Sequence, residues 1–200
     1  MSRSQILLID NYDSFTCNVR EYLGRCAGYA NVVMVRNDQI DPEEALEYGA
    51  WVISPGPGLP DSSGKLLELI RAGFDKVPML GICLGHQAIA EAAGGQLYNL
   101  GEVRHGRQVS IQWDVPGTWL SGGEQSSPVG LYHSWVVDEK SLPDSVRVLA
   151  RDEQGIPMAL QYRDQLVYGV QFHPESILTP GGYALICGFV QAVRSAGFLL

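Results

Sequence analysis

One cysteine stands between two glycines where an apolar run changes into a helical pattern. The segment reads Gly81-Ile82-Cys83-Leu84-Gly85, with the spacing of the G-x-S-x-G turn that presents a nucleophile above a sheet. The start of a helix favours a thiolate, because the peptide dipoles place partial positive charge there. The pattern alone leaves two interpretations, a nucleophile or a small buried side chain.

A cysteine nucleophile needs an imidazole base and an acid that orients the base. His173 follows a strongly apolar segment and is separated from Glu175 by one proline. Residues two apart in an extended segment project to the same side, so Glu175 can hold one ring nitrogen while the other faces a ligand. The remaining histidines are expected to pack against the core or line a substrate wall: His86, His105 and His133.

A Gly/Pro turn, Ser54-Pro55-Gly56-Pro57-Gly58, follows another apolar strand. Alone it predicts only a turn. Beside a thiolate, the backbone N–H groups of Gly56 and Leu84 could bind the oxyanion of an acyl transfer. Gly58 would let a substrate approach the backbone closely.

The first half of the sequence alternates between predicted strands and helices, which indicates βαβ units on a mostly parallel sheet. Asp41 is predicted to cap one helix, with Pro42 in its first turn. From about Gln96 the pattern changes to short strand-like segments, and residues 114–128 read as a polar loop. The strand segments are QILLID, NVVMVR, AWVIS, PMLGIC, RQVSIQW, VGLYHSWVV, VRVLAR, PMALQY and LVYGVQF; the helical ones are FTCNVREYLGRC, DPEEALEYG, KLLELIRAG, LGHQAIAEAAGG and YALICGFVQAVRSAG.

The predicted fold is therefore a single α/β domain over residues 1–200. It is a mostly parallel open sheet with helices on both faces and antiparallel additions in the second half. Ligands bind at the carboxyl ends of the strands in such sheets. The segments DNYDSFT, SPGPG and GICLG stand at the ends of the first, third and fourth predicted strands, so they are expected to lie on one edge of the sheet.

Composition excludes several classes of protein. The net charge of -8 argues against a general nucleic-acid surface, which needs clustered Lys and Arg, and is expected to serve solubility. No apolar run approaches the ~20 residues of a membrane helix, and the N-terminal apolar run is too short for a signal peptide. Four cysteines (Cys17, Cys26, Cys83 and Cys187) form no CxxC pair or zinc-like cluster, which predicts reduced thiols in the cytoplasm.

Taken together, "SPGPG", "GICLGHQ" and "GVQFHPES" resemble the class I (triad-type) glutamine amidotransferases. The resemblance runs from "ILLIDNYDSFT" to "FHPESILTPGG", nearly the whole sequence. It implies a flavodoxin-like fold and a Cys-His-Glu triad, with Cys83 as nucleophile, His173 as base and Glu175 as its orienter. The positions that match the family's glutamine-binding residues are Gly56, Pro57, Gly58, Gln87, Ser134 and Trp135.

Within the class, "LLIDNYDSFT", "VRND" and "YHS" resemble the glutaminase components of chorismate-using synthases. This implies a separate synthase subunit that binds chorismate and magnesium, with no metal or other cofactor in this chain. Anthranilate synthase is slightly preferred; aminodeoxychorismate synthase, or service to both, is the alternative. Two segments depart from the family: Leu131-Tyr132-His133-Ser134-Trp135 stands for Arg-Tyr-His-Ser-Leu, and His105-Gly106-Arg107 for His-Gly-Lys.

Two other classes compete with this interpretation. A redox-sensing cysteine protein on a similar scaffold would explain the turn at Cys83 but leaves His173 and Glu175 without a role. A non-enzymatic binding module with a degenerate site conflicts with the presence of all three triad residue types. Alkylation of Cys83 that glutamine slows would separate the amidotransferase from both.

Overall fold

Short buried strands alternate with helices over the first half of the chain, as the sequence predicts. The computed structural model describes residues 4–116 and 118–199. The strands are β1 (Ile6–Asp10), β2 (Val32–Arg36), β3 (Ala50–Ile53) and β4 (Met79–Ile82), and the helices are α1 (Thr16–Ala27), α2 (Pro42–Ala45), α3 (Leu66–Gly73) and α4 (Leu84–Ala92). Residues of β3 and β4 are buried throughout, which is typical of strands covered on both faces.

The second half adds longer strands and a final helix. Its elements are β5 (Gln96–Trp113), β6 (Ser126–Asp138), β7 (Val146–Asp152), β8 (Pro157–Tyr162), β9 (Val167–Val170) and α5 (Gly182–Ser195). Strand β5 begins well before the predicted segment RQVSIQW. Its first part is largely exposed and its pairing with β6 is irregular around Leu100–Val103 and Gly106, so it lacks the apolar alternation that marks a strand in sequence.

All nine strands form one sheet in the order β2-β1-β3-β4-β9-β8-β7-β5-β6. The pairs from β2 to β9 are parallel, and those from β9 to β6 are antiparallel. The predicted antiparallel additions are thus confirmed. The last strand in sequence, β9, lies between β4 and β8 and joins the two parts of the sheet.

Helices cover both faces of the sheet, because successive residues of each strand point to opposite sides. Ile6 and Leu8 of β1 pack on the face that holds α1 and α5. Leu7 and Ile9 pack on the face that holds α3 and α4. Both sets are fully buried, and the sheet is fixed by a hydrophobic layer on each side.

The predicted cap of α2 is correct in position but not in its side-chain contact. Asp41 precedes the helix with Pro42 in the first turn, yet its side chain makes no capping hydrogen bond. The carboxylate instead accepts a hydrogen bond from Nζ of Lys65 at 2.6 Å. Competition from that exposed ion pair could not be read from the local sequence.

The cysteines correct one prediction. Cys26 of α1 and Cys187 of α5 form a disulfide across a sequence separation of 161 residues, so these two are not the reduced thiols that were expected. Cys17 and Cys83 are free thiols, the first exposed and the second buried. No helix among the described residues is both long enough and apolar enough to span a membrane.

Candidate active site

Cys83 occupies a strained turn between β4 and α4. Its φ is 50° and its ψ is -99°, in the left-handed half of conformational space that non-glycine residues avoid. The backbone N–H donates to the Val170 carbonyl at 2.8 Å. A Cβ on Gly81 would lie 2.4 Å from the carbonyl of Gly85, so the tight turn requires glycine there.

His173 and Glu175 form a buried pair just beyond the end of β9. Nδ1 of His173 lies 2.7 Å from Oε1 of Glu175, and both side chains are almost fully buried. Nε2 of the imidazole is buried without a hydrogen-bond partner among the described residues. One ring nitrogen is therefore held by the carboxylate and the other is left for a reacting group.

The segment that carries His173 is fixed by its backbone and by aromatic contacts. The backbone N–H of His173 donates to the Gly130 carbonyl at 3.0 Å, and the His173 carbonyl accepts from Oγ1 of Thr179 at 2.7 Å. The imidazole also contacts the Tyr132 ring edge-on at 4.8 Å between centroids, and the Phe15 ring at 6.1 Å. These contacts restrict the His173 imidazole to one orientation.

Cys83 lies close enough for its charge to act on His173. Burial lowers the pKa of His173, but the charges of Cys83 and Glu175 oppose this effect and raise the pKa to about 10. An imidazolium next to a thiolate is the protonation state in which a cysteine nucleophile attacks.

Two asparagine side chains hold the Gly/Pro turn in place through hydrogen bonds. Asn11 donates from its side chain to the Ser54 carbonyl at 2.7 Å and accepts from Asn37 at 2.9 Å. A Cβ on Gly56 would lie 2.6 Å from both the Asn11 Cβ and Cδ2 of Leu84. The turn is therefore pressed against the start of α4, where the first N–H groups have no partner within the helix.

A cavity of about 500 Å³ opens at Cys83. Every residue that the family resemblance assigns to glutamine contributes to its wall: Gly56, Pro57, Gly58, Gln87, Ser134 and Trp135. Gln87 extends from α4, and its Nε2 donates to the Trp135 carbonyl at 2.8 Å. The wall thus combines backbone groups with one amide side chain, a set suited to a small polar substrate.

Several site residues were missed by the sequence reasoning. Leu59, Ser62 and Tyr132 also line the cavity, and Gln171 lies behind Cys83 with Nε2 3.6 Å from the sulfur. The parallel pairing of Ile82 with Val170 places Gln171 beside Cys83. A strand register of this kind is not visible in the sequence, although the position of Gln171 two residues before His173 was a usable hint.

The other three histidines occupy packing or wall positions. His86 is fully buried, and burial lowers its pKa to about 3. His133 lines the cavity, where burial and the charge of Arg104 lower its pKa to about 4. His105 is exposed and meets the Tyr132 ring edge-on at 5.0 Å. Within residues 4–116 and 118–199, no cluster of three or more His, Cys, Asp or Glu could hold a metal ion.

Sequence relatives cover nearly the whole chain. It is 40% identical over 191 residues to the aminodeoxychorismate/anthranilate synthase component 2 of Bacillus subtilis, with 94% of this chain and 97% of that protein aligned. It is 40% identical to the anthranilate synthase component 2 of Pseudomonas aeruginosa, with 96% and 99% aligned. It is 39% identical to the bifunctional protein TrpGD of Thermotoga maritima, with 94% of this chain aligned but only 32% of that longer protein.

Two further comparisons agree with these relatives. The sequence profile of the family "Glutamine amidotransferase class-I" matches residues 7–193. The solved structure of a glutamine amidotransferase from Thermotoga maritima superposes with a TM-score of 0.78 and covers 99% of each chain. Their 16% sequence identity makes this second likeness evidence of the fold alone.

Proposed function

Since the chain belongs to the class-I glutamine amidotransferase family, we propose that Cys83, His173 and Glu175 hydrolyse the side-chain amide of L-glutamine. The observation that supports these roles is the buried pair of His173 and Glu175, since Nε2 of the imidazole has no hydrogen-bond partner among the described residues and the ring feels the charge of Cys83. The enzyme is a glutamine amidotransferase.

In the first half-reaction the Cys83 sulfur attacks the carbonyl carbon of the glutamine amide. The C=O electron pair moves to oxygen, and the backbone N–H groups of Gly56 and Leu84 stabilise the oxyanion. His173 then donates its proton to the amide nitrogen as the C–N bond breaks. Ammonia leaves, and a glutamyl thioester with Cys83 remains.

In the second half-reaction water replaces ammonia. The now neutral His173 removes a proton from the water, whose oxygen attacks the thioester carbon. The C–S bond breaks, glutamate leaves, and the Cys83 thiolate is regenerated beside the His173 imidazolium. Glu175 holds Nδ1 in both half-reactions. Nε2 of His173 therefore serves first as the acid and then as the base.

The cavity wall is proposed to bind glutamine mainly through backbone groups. The turn at Gly56, Pro57 and Gly58 approaches the reacting amide, while Gln87 and the backbone of Ser134 and Trp135 hold the rest of the substrate. The match of these positions to the family pattern supports this assignment, as does their presence around one cavity with Cys83.

We propose that the released ammonia is used by a separate chorismate-binding synthase subunit. The support comes from relatives that are named component 2 of such synthases. Anthranilate synthase is the preferred partner, and magnesium is placed on that partner, with no cofactor in this chain. The aminodeoxychorismate partner, alone or in addition, is the alternative, since one relative carries both names.

We place this activity in the cytoplasm, where a disulfide such as the one between Cys26 and Cys187 is uncommon. Fractionation of the source cells tests this part of the proposal. Recovery of the chain with cytoplasmic marker enzymes would agree with it, and recovery outside that fraction would contradict it.

The decisive experiment compares wild type with Cys83→Ser and with Cys17→Ser as the matched control. Cys83→Ser should lose glutamine-dependent ammonia release by about 10³-fold or more with an unchanged circular dichroism spectrum. Cys17→Ser should remain active. Unchanged turnover in Cys83→Ser would overturn the assignment.

A second experiment identifies the partner. The chain is used to capture its synthase subunit, and the product from chorismate and glutamine is identified as anthranilate or aminodeoxychorismate. Glutaminase turnover should rise when the partner binds. High turnover that is indifferent to any partner would count against ammonia delivery.

A further inference from the structure

We propose that Gln171 donates a hydrogen bond to the Cys83 sulfur and thereby stabilises the thiolate. This assignment rests on the proposed role of Cys83 as nucleophile. It adds a side-chain amide to the groups that act on the reacting sulfur, besides the imidazole of His173.

The position of Gln171 is fixed by the sheet. Its backbone N–H donates to the Met158 carbonyl at 2.9 Å, and its side chain is completely buried. A buried amide has to find hydrogen-bond partners, because an unpaired one costs free energy. Its two polar atoms have one described partner each, Gln87 and Cys83.

Trp135, Gln87, Gln171 and Cys83 are linked by successive hydrogen bonds, and the backbone carbonyl of Trp135 sets the direction of all of them. The Trp135 carbonyl can only accept, so the amide end that faces it at 2.8 Å must be the Nε2 group of Gln87. The same NH₂ group lies 3.1 Å from Gln171, which must therefore present Oε1 to it. That choice turns Nε2 of Gln171 toward the Cys83 sulfur, 3.6 Å away.

A donor aimed at sulfur favours the anion over the thiol, since a thiolate is the stronger acceptor. Three amide groups form a continuous hydrogen-bonded chain from the cavity wall to the Cys83 sulfur: the Trp135 backbone, the Gln87 side chain and the Gln171 side chain. Gln87 and Trp135 belong to the proposed glutamine site, so this chain of hydrogen bonds joins the substrate pocket to the sulfur.

Two variants separate the two ends of the Gln171 amide. Gln171→Met removes both polar groups at similar length. Gln171→Glu keeps an oxygen that accepts from Gln87, but it loses the donor and adds a negative charge beside the sulfur. The matched control is Gln161→Met, because Gln161 is also a buried amide, in β8, and is bonded to Gln165 and Tyr168 away from Cys83.

The readout is the rate of Cys83 alkylation by iodoacetamide as a function of pH, without glutamine. The midpoint should move to higher pH by about one unit in Gln171→Met and further in Gln171→Glu, while Gln161→Met keeps the wild-type midpoint. In steady-state assays kcat should fall at least about tenfold in both Gln171 variants. KM for glutamine should change less in Gln171→Glu than in Gln171→Met, because the glutamate still accepts a hydrogen bond from Gln87.

A wild-type midpoint in Gln171→Met, with folding verified by thermal unfolding, would overturn the proposal and leave Gln171 as a packing residue. If Gln171→Glu fails to fold, the Met variant still decides. The proposed glutaminase function is tested separately, by whether glutamine slows alkylation of the wild type. The two ideas can therefore fail independently.

Discussion

Nδ1 of His173 and Oε1 of Glu175 lie 2.7 Å apart with both side chains almost fully buried. A carboxylate at this distance from a buried imidazole fixes the tautomer of the neutral ring and stabilises its charged form. The electrostatics agree, because the Glu175 carboxylate is one of the groups that raise the pKa of His173 to about 10.

Glu175→Gln keeps the size of the side chain and removes its charge. The pKa of His173 should fall, so the imidazolium loses its proton at lower pH and the alkaline limb of the kcat profile moves to lower pH. We expect kcat to fall by about 10²- to 10⁴-fold. Stopped assays of ammonia release across pH measure both effects. Glu153→Gln, at an exposed carboxylate after β7, is the control, and an unchanged profile in Glu175→Gln would contradict the role of the carboxylate.

His86 should make the protein sensitive to acid. Burial lowers its pKa from 6.5 to about 3, so below pH 6.5 the unfolded chain binds a proton that the folded chain excludes. Stability from this group is therefore complete above pH 6.5 and is lost as the pH falls toward 3. Between pH 7.5 and pH 5 the loss is about 2 kcal/mol.

Urea unfolding of wild type and His86→Leu at several pH values measures this contribution. The variant should lose less stability between pH 7.5 and pH 5, by about the same 2 kcal/mol, since leucine does not titrate. Parallel curves for the two proteins would show that His86 is not the group responsible. His86 packs against Gly169, so the substitution also changes absolute stability, and the titration of His86 is measured by the difference between the two proteins in their pH dependence.

The disulfide between Cys26 and Cys187 joins α1 to α5, which lie on the same face of the sheet. It closes a loop of 161 residues, and removing so long a cross-link frees the unfolded chain. Cys187→Ser should reduce the free energy of unfolding by about 2–5 kcal/mol. Dithiothreitol should bring the wild type to the same value.

Cys17→Ser is the control for this comparison, because Cys17 is exposed and free. Its unfolding curve should remain close to wild type and retain the response to dithiothreitol. Equal stability of Cys187→Ser and wild type under non-reducing conditions would show that the cross-link does not form in solution.

Neighbouring glycines at the start of α5 should respond in opposite ways to alanine. A Cβ on Gly182 would lie 1.7 Å from the Pro174 carbonyl, between the proposed base and its orienter, whereas a Cβ on Gly181 meets no described atom within 4 Å. Gly182→Ala should cost at least about 2 kcal/mol of stability and should lower kcat, because the turn that carries His173 and Glu175 must move.

Gly181→Ala is the matched control for that prediction. Its φ of -80° suits alanine, so it should be neutral or stabilise by up to about 1 kcal/mol. Thermal unfolding together with the glutaminase assay distinguishes the two. Equal behaviour of both variants would mean that the Pro174 turn is not packed as described.

The sequence predicted the fold where local patterns dominate. The apolar run around Leu80–Ile82 and the helical spacing of apolar residues in Leu66–Gly73 lie within the segments themselves, so β4 and α3 were predicted correctly. The first part of β5 was missed, because it is exposed and irregular and carries no such period. Asp41 was predicted as a cap, but a distant lysine takes its carboxylate.

Residue type and order were enough to nominate candidates for the site. Spacing singled out Cys83, His173 and Glu175, the family resemblance assigned their roles and added the glutamine positions, and the structure places those glutamine positions around one cavity with Cys83. The contact of Gln171 with Cys83 and the pairing of Cys26 with Cys187 depend on which strands and helices are neighbours in the fold. That information arises from the insertion of β9 next to β4 and from the packing of α1 on α5, neither of which is encoded within a short segment.

The position of β9 also sets the order in which the site can be built during synthesis. Cys83 and α4 leave the ribosome long before residues 167–175, and until then the edges of β4 and β8 that flank β9 lack their partner. Pairing over such a sequence distance is slow to form, and an open strand edge invites aggregation. A nascent chain therefore holds the proposed nucleophile without the proposed base, and we expect glutaminase activity to begin only when the final strand completes the sheet.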